Sequence, residues 1–286
     1  METVFDLDAL RAHKRRALKQ AQPGADFLMA HAAEELGDRL ATVSRRFDRA
    51  ATIFCNSPHA AQVLRESGKV EEVIRVEADE ALLNGEPGIV ALPETVPFEP
   101  ASLDLAVSLL SLHEVNDLPG LLVQIRRALK PDGLFLACMA GAGTLSELRE
   151  SLLAAESELG GVSPRVSPFV EVRDAGGLLQ RAGFALPVSD ADTLTVRYDS
   201  LLGLANDLRA MGASNALAER SRQPMSRALL YRAAQIYGER FADPDGRVRA
   251  SFTLLWMSGW APAASQPKPL KPGSATVSLA EALAKK

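Results

Sequence analysis

The chain has 286 residues, 47% of them hydrophobic and 24% charged, with a formal net charge of −4. That is enough apolar material for one substantial core with room for an insert, and the acidic balance excludes a broad electrostatic attraction to nucleic acid. The longest apolar stretch, around 103–112, is interrupted by Asp104 and serines, so no segment is expected to cross a bilayer.

The opening Met1-Glu-Thr-Val-Phe-Asp-Leu-Asp8 is acidic and has no signal-peptide core, and the expected location is cytoplasmic. Two helices are predicted first, over Phe5–Gln20 and Phe27–Leu40, broken at Gln22-Pro23-Gly24. A strand–helix alternation follows. It has a strand at Ala51–Cys55, a helix opened by Pro58 and running to Glu66, and strands at Val73–Glu77, Ile89–Leu92 and Leu103–Leu110. A helix over Leu118–Leu129 leads through a tight turn, Lys130-Pro-Asp-Gly133, into a strand at Leu134–Met139.

After Ala140 the pattern becomes helical: Leu145–Leu159, then a Ser/Pro loop, then Val172–Ala182 stopped by Gly183. A strand at Leu194–Tyr198, helices at Leu201–Met211 and Pro224–Tyr237, and a strand at Val248–Trp256 complete the core. Strands alternating with helices predict an α/β fold with a doubly wound, mostly parallel sheet. The expected organisation is N-terminal helices over 1–45, an α/β domain over 46–260 with a helical insert at about 144–182 and 199–240, and an extended tail over 261–286. That tail is Pro/Lys/Ser-rich, with one weak helical turn expected at Leu279–Ala284.

The end of the first strand is where a nucleotide-binding α/β domain would carry a glycine-rich turn. Here Cys55, Asn56, Ser57, Pro58 and His59 stand instead, with no glycine. Cys55 and Cys138 lie in apolar runs and read as buried free thiols. Cys55 with His59 has no third ligand nearby in sequence, and no metal site is expected. Trp256, Trp260 and Phe252 read as core.

Several stretches carry a resemblance. They are Phe5-Asp6 with the basic helix after it; Ser108-Leu-Leu-Ser-Leu-His-Glu-Val-Asn-Asp-Leu-Pro119; the Lys-Pro-Asp-Gly turn; Gly143–Arg149; Ser163-Pro-Arg-Val-Ser-Pro-Phe169 with Asp174; Arg181–Phe184; Asp207–Gly212 with Asn215; and Gly273–Ser278. The chain resembles the class I S-adenosylmethionine-dependent methyltransferases. Within them it is most similar to the mitochondrial complex I assembly factor 5 family and its alphaproteobacterial relatives. The resemblance implies a Rossmann-like seven-stranded sheet, S-adenosylmethionine as cofactor, and a protein partner such as a respiratory complex I subunit. That family is associated with arginine hydroxylation on such a subunit.

It also implies where the cofactor pocket falls. The strand-one positions are Cys55 and Asn56, with the usual acid at about Ile53 and glycine positions near Cys55 and His59. Glu77 is the ribose-binding acid, Leu92 stands where an acid follows strand three, and Glu114 replaces an aromatic after the histidine. Glu94, beyond Pro93, is a possible substitute for the missing acid. His113 occupies the place of a catalytic group, with an unperturbed pKa of about 6.5 suited to a general base; the alternative is that it fixes its loop through the backbone. Arg165 and Arg149 are candidates for gripping an acidic group on a partner, the alternative for Arg149 being a pair with Glu147 or Glu150.

Three functions follow. One is a protein that keeps the fold and partner surface with a degenerate cofactor pocket. Another is an active S-adenosylmethionine-dependent methyltransferase with a rebuilt pocket, acting on a protein side chain or a small acid. The third is a small-molecule enzyme like the malonyl-carrier-protein O-methyltransferases, which the Ser163–Phe169 loop argues against.

Overall fold

The computed structural model describes residues 3–266; the tail motif Gly273–Ser278 and the helical turn expected at Leu279–Ala284 lie outside the described residues. The elements, in chain order, are α1 (Leu7–Gln20), α2 (Phe27–Thr42), β1 (Phe47–Ile53), α3 (His59–Glu66), β2 (Val70–Glu77), α4 (Glu80–Leu83), β3 (Ile89–Val90) and β4 (Leu103–Leu109). A 3-10 turn at Leu112–Glu114 follows, then α5 (Leu118–Ala128), β5 (Leu129–Ala140), α6 (Ser146–Leu159), α7 (Val172–Arg181), β6 (Ala185–Tyr198), α8 (Leu201–Ala210), α9 (Arg227–Phe241) and β7 (Val248–Trp260). Among the described residues no helix is long and apolar enough to cross a membrane.

The strands form one sheet in the order β3-β2-β1-β4-β5-β7-β6. The first five are parallel, and β7 runs antiparallel between β5 and β6. This is the Rossmann-like seven-stranded sheet that the resemblance implies. Every residue of β4 is buried, as a central parallel strand covered on both faces must be. Ala32, Leu36 and Leu40 of α2 and Ala60 and Leu64 of α3 pack with Leu105, Val107 and Leu109 on one face. Leu121, Leu122 and Ile125 of α5 and Leu178 and Leu179 of α7 pack with Ala106 and Phe135 on the other. A third apolar cluster joins α6, α8 and α9 to Val248, Ala250 and Phe252 of β7. A small fourth cluster (Phe5, Leu10, Ala216, Leu217) seats α1.

Several element boundaries differ from those predicted. β1 begins at Phe47, four residues before the predicted start, because Phe47 already pairs with Val70 of β2. The polar Asp48-Arg49 hid that start; the Arg49 N–H is taken by the Asp104 carboxylate at 3.1 Å. Lys130-Pro-Asp-Gly133 is not a turn between elements but a bulge within β5: Leu103 faces Leu129 while Leu105 faces Leu134. β6 is 14 residues long where only its last five were predicted. It is an edge strand whose acids and Pro187 mask the apolar alternation.

Candidate functional site

A cleft of about 770 Å³ opens beyond the C-terminal ends of β1, β4 and β5. That is where strand order reverses in the sheet and where ligands sit in open α/β folds. Its floor is the β1–α3 turn, Leu110 and the 3-10 turn after β4, and Ala140 at the end of β5; its walls are α1, α6, α8 and the 165–169 loop. α5 fixes the loop after β4: Asp117 caps it by accepting the Gly120 N–H at 2.9 Å, Pro119 stands in its first turn, and Leu118, Leu121 and Leu122 are buried.

The β1–α3 turn keeps a glycine-like backbone without glycine. Phe54 and Asn56 both have positive φ, 54° and 57°, a region that costs an L-residue about 1–2 kcal/mol. The Asn56 side chain offsets part of this by donating to the Phe54 carbonyl at 3.1 Å. Cys55 between them is fully buried, its Sγ accepts the Leu109 N–H at 3.3 Å, and burial pushes its thiol up to about 12. It is an inert core thiol that joins β1 to β4.

Glu77 ends β2, but its side chain has no exposed surface and does not line the cleft. One carboxylate oxygen accepts the Asn56 N–H at 3.0 Å; the other accepts from Arg75 at 3.3 Å. Burial raises its pKa to about 7, against the pull of the Asn56 N–H and the Arg75 guanidinium. Arg75 is fully buried and also donates to the Leu82 and Leu83 carbonyls at the end of α4. Sequence reasoning missed Arg75; the available signal was a cation inside an apolar strand, two residues before an acid on the same face.

Leu92 is 77% exposed and stands outside the cleft. Glu94 does not replace it there, because both its oxygens accept backbone N–H groups of the β4–α5 loop, Asn116 at 2.6 Å and Asp117 at 3.1 Å.

His113 and Glu114 line the cleft. The His113 Nδ1 accepts the Ala140 N–H at 3.3 Å, so the neutral ring carries its proton on Nε2, and burial lowers its pKa. Glu114 pairs with Lys14 of α1 at 3.2 Å, both side chains mostly covered. α1 is thus tied across the cleft mouth. Arg15 pairs with Asp79 at the start of α4, and the Asn116 side chain accepts the Val4 and Phe5 N–H groups. Gly212, with φ 72°, lets the chain after α8 lie against α1, where a Cβ would meet Lys14 at 3.0 Å and the His13 carbonyl at 3.2 Å.

Arg165 lines the cleft and pairs with Glu156 at 2.8 Å. Burial opposes the charge on Glu156, but the Ser163 N–H and Arg165 hold it below the usual carboxylate range. Arg149 is away from the cleft and donates to the Ser167 carbonyl at 2.7 Å. It pairs with neither Glu147 nor Glu150; Glu147 instead accepts from the Ser251 N–H and hydroxyl. Cys55, Asn56, His113, Glu114 and Arg165 therefore meet at one cleft, whereas Glu77, Leu92 and Arg149 do not line it.

Residues 52–137 match a family described as methyltransferase domain. Over 292 residues the chain is 39% identical to human "Arginine-hydroxylase NDUFAF5, mitochondrial", covering 97% of this chain and 83% of that protein. The chain belongs to the NDUFAF5 family. Malonyl-[acyl-carrier protein] O-methyltransferase of Xylella fastidiosa (strain M23) is 36% identical over 168 residues, 59% of this chain and 55% of that enzyme. The Bacillus subtilis YcgJ protein shares the fold at a TM-score of 0.55 and 15% identity, over 82% of this chain and 99% of its own.

Methyltransferase folds of this class imply S-adenosylmethionine, and the residues of this NDUFAF5-family chain do not fit it. A ribose needs an acceptor facing the cleft, and Glu77 is closed off by Arg75 and the Asn56 N–H. A methionine carboxylate needs close approach to backbone at the β1 turn, where every residue from Phe54 to His59 carries a side chain. Leu92, which the resemblance aligns with the acid after strand three, is exposed and apolar.

Proposed function

We propose that this NDUFAF5-family chain acts as a partner-binding assembly protein on a methyltransferase fold, with a cofactor end that has lost its ligand. The observation that carries this reading is the buried Arg75–Glu77 pair, which engages internally the acid that a nucleotide ribose would need. The partner is a protein, and the family resemblance points to a subunit of respiratory complex I in the cytoplasm of the source cell. Arg165, and Arg149 outside the cleft, border the partner-facing loop 163–169 and hold its shape.

One observation favours a second reading, an active enzyme with a rebuilt pocket: His113 lines the cleft, where its Nε2–H can donate to a bound group, while its Nδ1 is engaged by the Ala140 N–H and is not free to act as a base. Genetic rescue separates the two. Deletion of the gene in its native host is expected to lower NADH:quinone oxidoreductase activity of the membranes, and a His113→Ala variant is expected to restore it. Failure of that variant, at wild-type protein levels, would favour the enzyme; no effect of deletion would remove the complex I assignment.

A further inference from the structure

Among the described residues, several polar side chains of the cleft are already engaged within the protein. Lys14 is held by Glu114 at 3.2 Å, Arg165 by Glu156 at 2.8 Å, and His59 by Asp26 at 3.1 Å. Asn56 donates to the Phe54 carbonyl at 3.1 Å and Asn215 to the Pro164 carbonyl at 2.9 Å. Thr144 is tied in both directions to the Thr253 backbone, donating to its carbonyl at 3.2 Å and accepting its N–H at 3.0 Å. What remains turned to the space between α2, α6, α9 and β7 is hydrocarbon: Leu28, Leu148, Leu152, Met225, Leu230 and Phe252.

The whole cleft, about 770 Å³, is room for roughly 25 waters at about 30 Å³ each, and the α6–α9 side is part of it. Water in this half of the cleft would find few free donors or acceptors, and apolar cavities favour apolar guests. A peptide threaded there in extended form would bring its own N–H and C=O groups into a lining with little to satisfy them, at about 1–3 kcal/mol for each group left unpaired. The hydrocarbon part of an acyl chain brings none.

We infer that the α6–α9 side of the cleft is a binding site for a hydrocarbon chain, such as an acyl group, with the polar end of the ligand at the cleft mouth. The site goes beyond the partner-binding reading and does not depend on it, because it rests on the lining and not on the cofactor end.

The test is titration of the full chain with cis-parinaric acid, whose fluorescence rises in an apolar environment, followed by competition with hexadecanoate or with a soluble leucine-rich helical peptide. The expected result is saturable one-site binding displaced by hexadecanoate. It should weaken at least about tenfold in Leu148→Trp, which fills the site from α6, and likewise in Leu230→Trp, which fills it from α9. Both side chains are only half-buried and the indole can enter open space; circular dichroism identifies a variant that fails to fold, and the other then decides. No saturable binding, binding indifferent to a folded filling variant, or displacement by the peptide but not by hexadecanoate would each overturn the inference. S-adenosylmethionine binding, measured separately, would contradict the proposed function without changing this result.

Discussion

At the scale of single residues, Glu77 and Arg75 decide how the cofactor end of the cleft is read. A buried carboxylate is tolerated only with a compensating cation and hydrogen bonds, and here these come from Arg75 and the Asn56 N–H. The folded-state pKa of Glu77 is about 7, above its ordinary 4.5, so between those values the folded chain holds more protons at this site than the unfolded chain. The resulting stability is fully present below about pH 4.5 and is lost as pH rises through about 7. Glu77→Gln mimics the protonated form and still accepts from Arg75. It should flatten the fall in melting temperature between about pH 5 and pH 8, while the wild type keeps it. Parallel curves would show that Glu77 does not titrate in this window. The position of Glu77 at a strand end was legible in sequence, as was that of His113. Their partners were not: Ala140 is 27 residues from His113, and Lys14 is 100 residues from Glu114. Such pairings exist only once the sheet has formed.

At the scale of elements, α1 has its own small apolar cluster and is otherwise held by polar ties across the cleft. Asp6 joins several of them. It caps α1 by accepting the Ala9 N–H at 3.0 Å and pairs with Arg220 at 2.9 Å. The backbone N–H of Ala9, then Arg220, holds its carboxyl below the usual range. Asp6→Ala should therefore cost about 1 kcal/mol, mostly from the lost cap. Amide hydrogen exchange should show this as faster exchange in α1 and around 216–220, with the central strands unchanged. Uniform acceleration across the sheet would mean that α1 is an integral part of the core. Helices with caps and strong apolar periodicity, such as α5 and α7, could be read from the sequence almost to the residue. The errors fell where tertiary context overrides local signals. A Pro-Asp-Gly segment normally ends a strand but here bulges within β5, and the acids of β6 are tolerable only because that strand lies at the sheet edge.

At the scale of the molecule, a doubly wound, mostly parallel sheet with a cleft beyond the strand ends follows from the βαβ alternation, which is why the fold class was legible in the sequence; the strand order was not. The chemistry of the cleft was less legible. Sequence shows that glycines are missing from the β1 turn, but not that Phe54 and Asn56 adopt positive φ in their place, nor that Arg75 is folded beneath Glu77. The structure therefore combines the framework of a methyltransferase fold with a strand-end acid, Glu77, that is engaged by Arg75 and the Asn56 N–H. Calorimetric titration of the purified chain with S-adenosylmethionine and S-adenosylhomocysteine tests this most directly. The account predicts no binding heat up to about 1 mM ligand, weaker than about −4.1 kcal/mol, from a protein that still melts cooperatively. Saturable micromolar binding would contradict it.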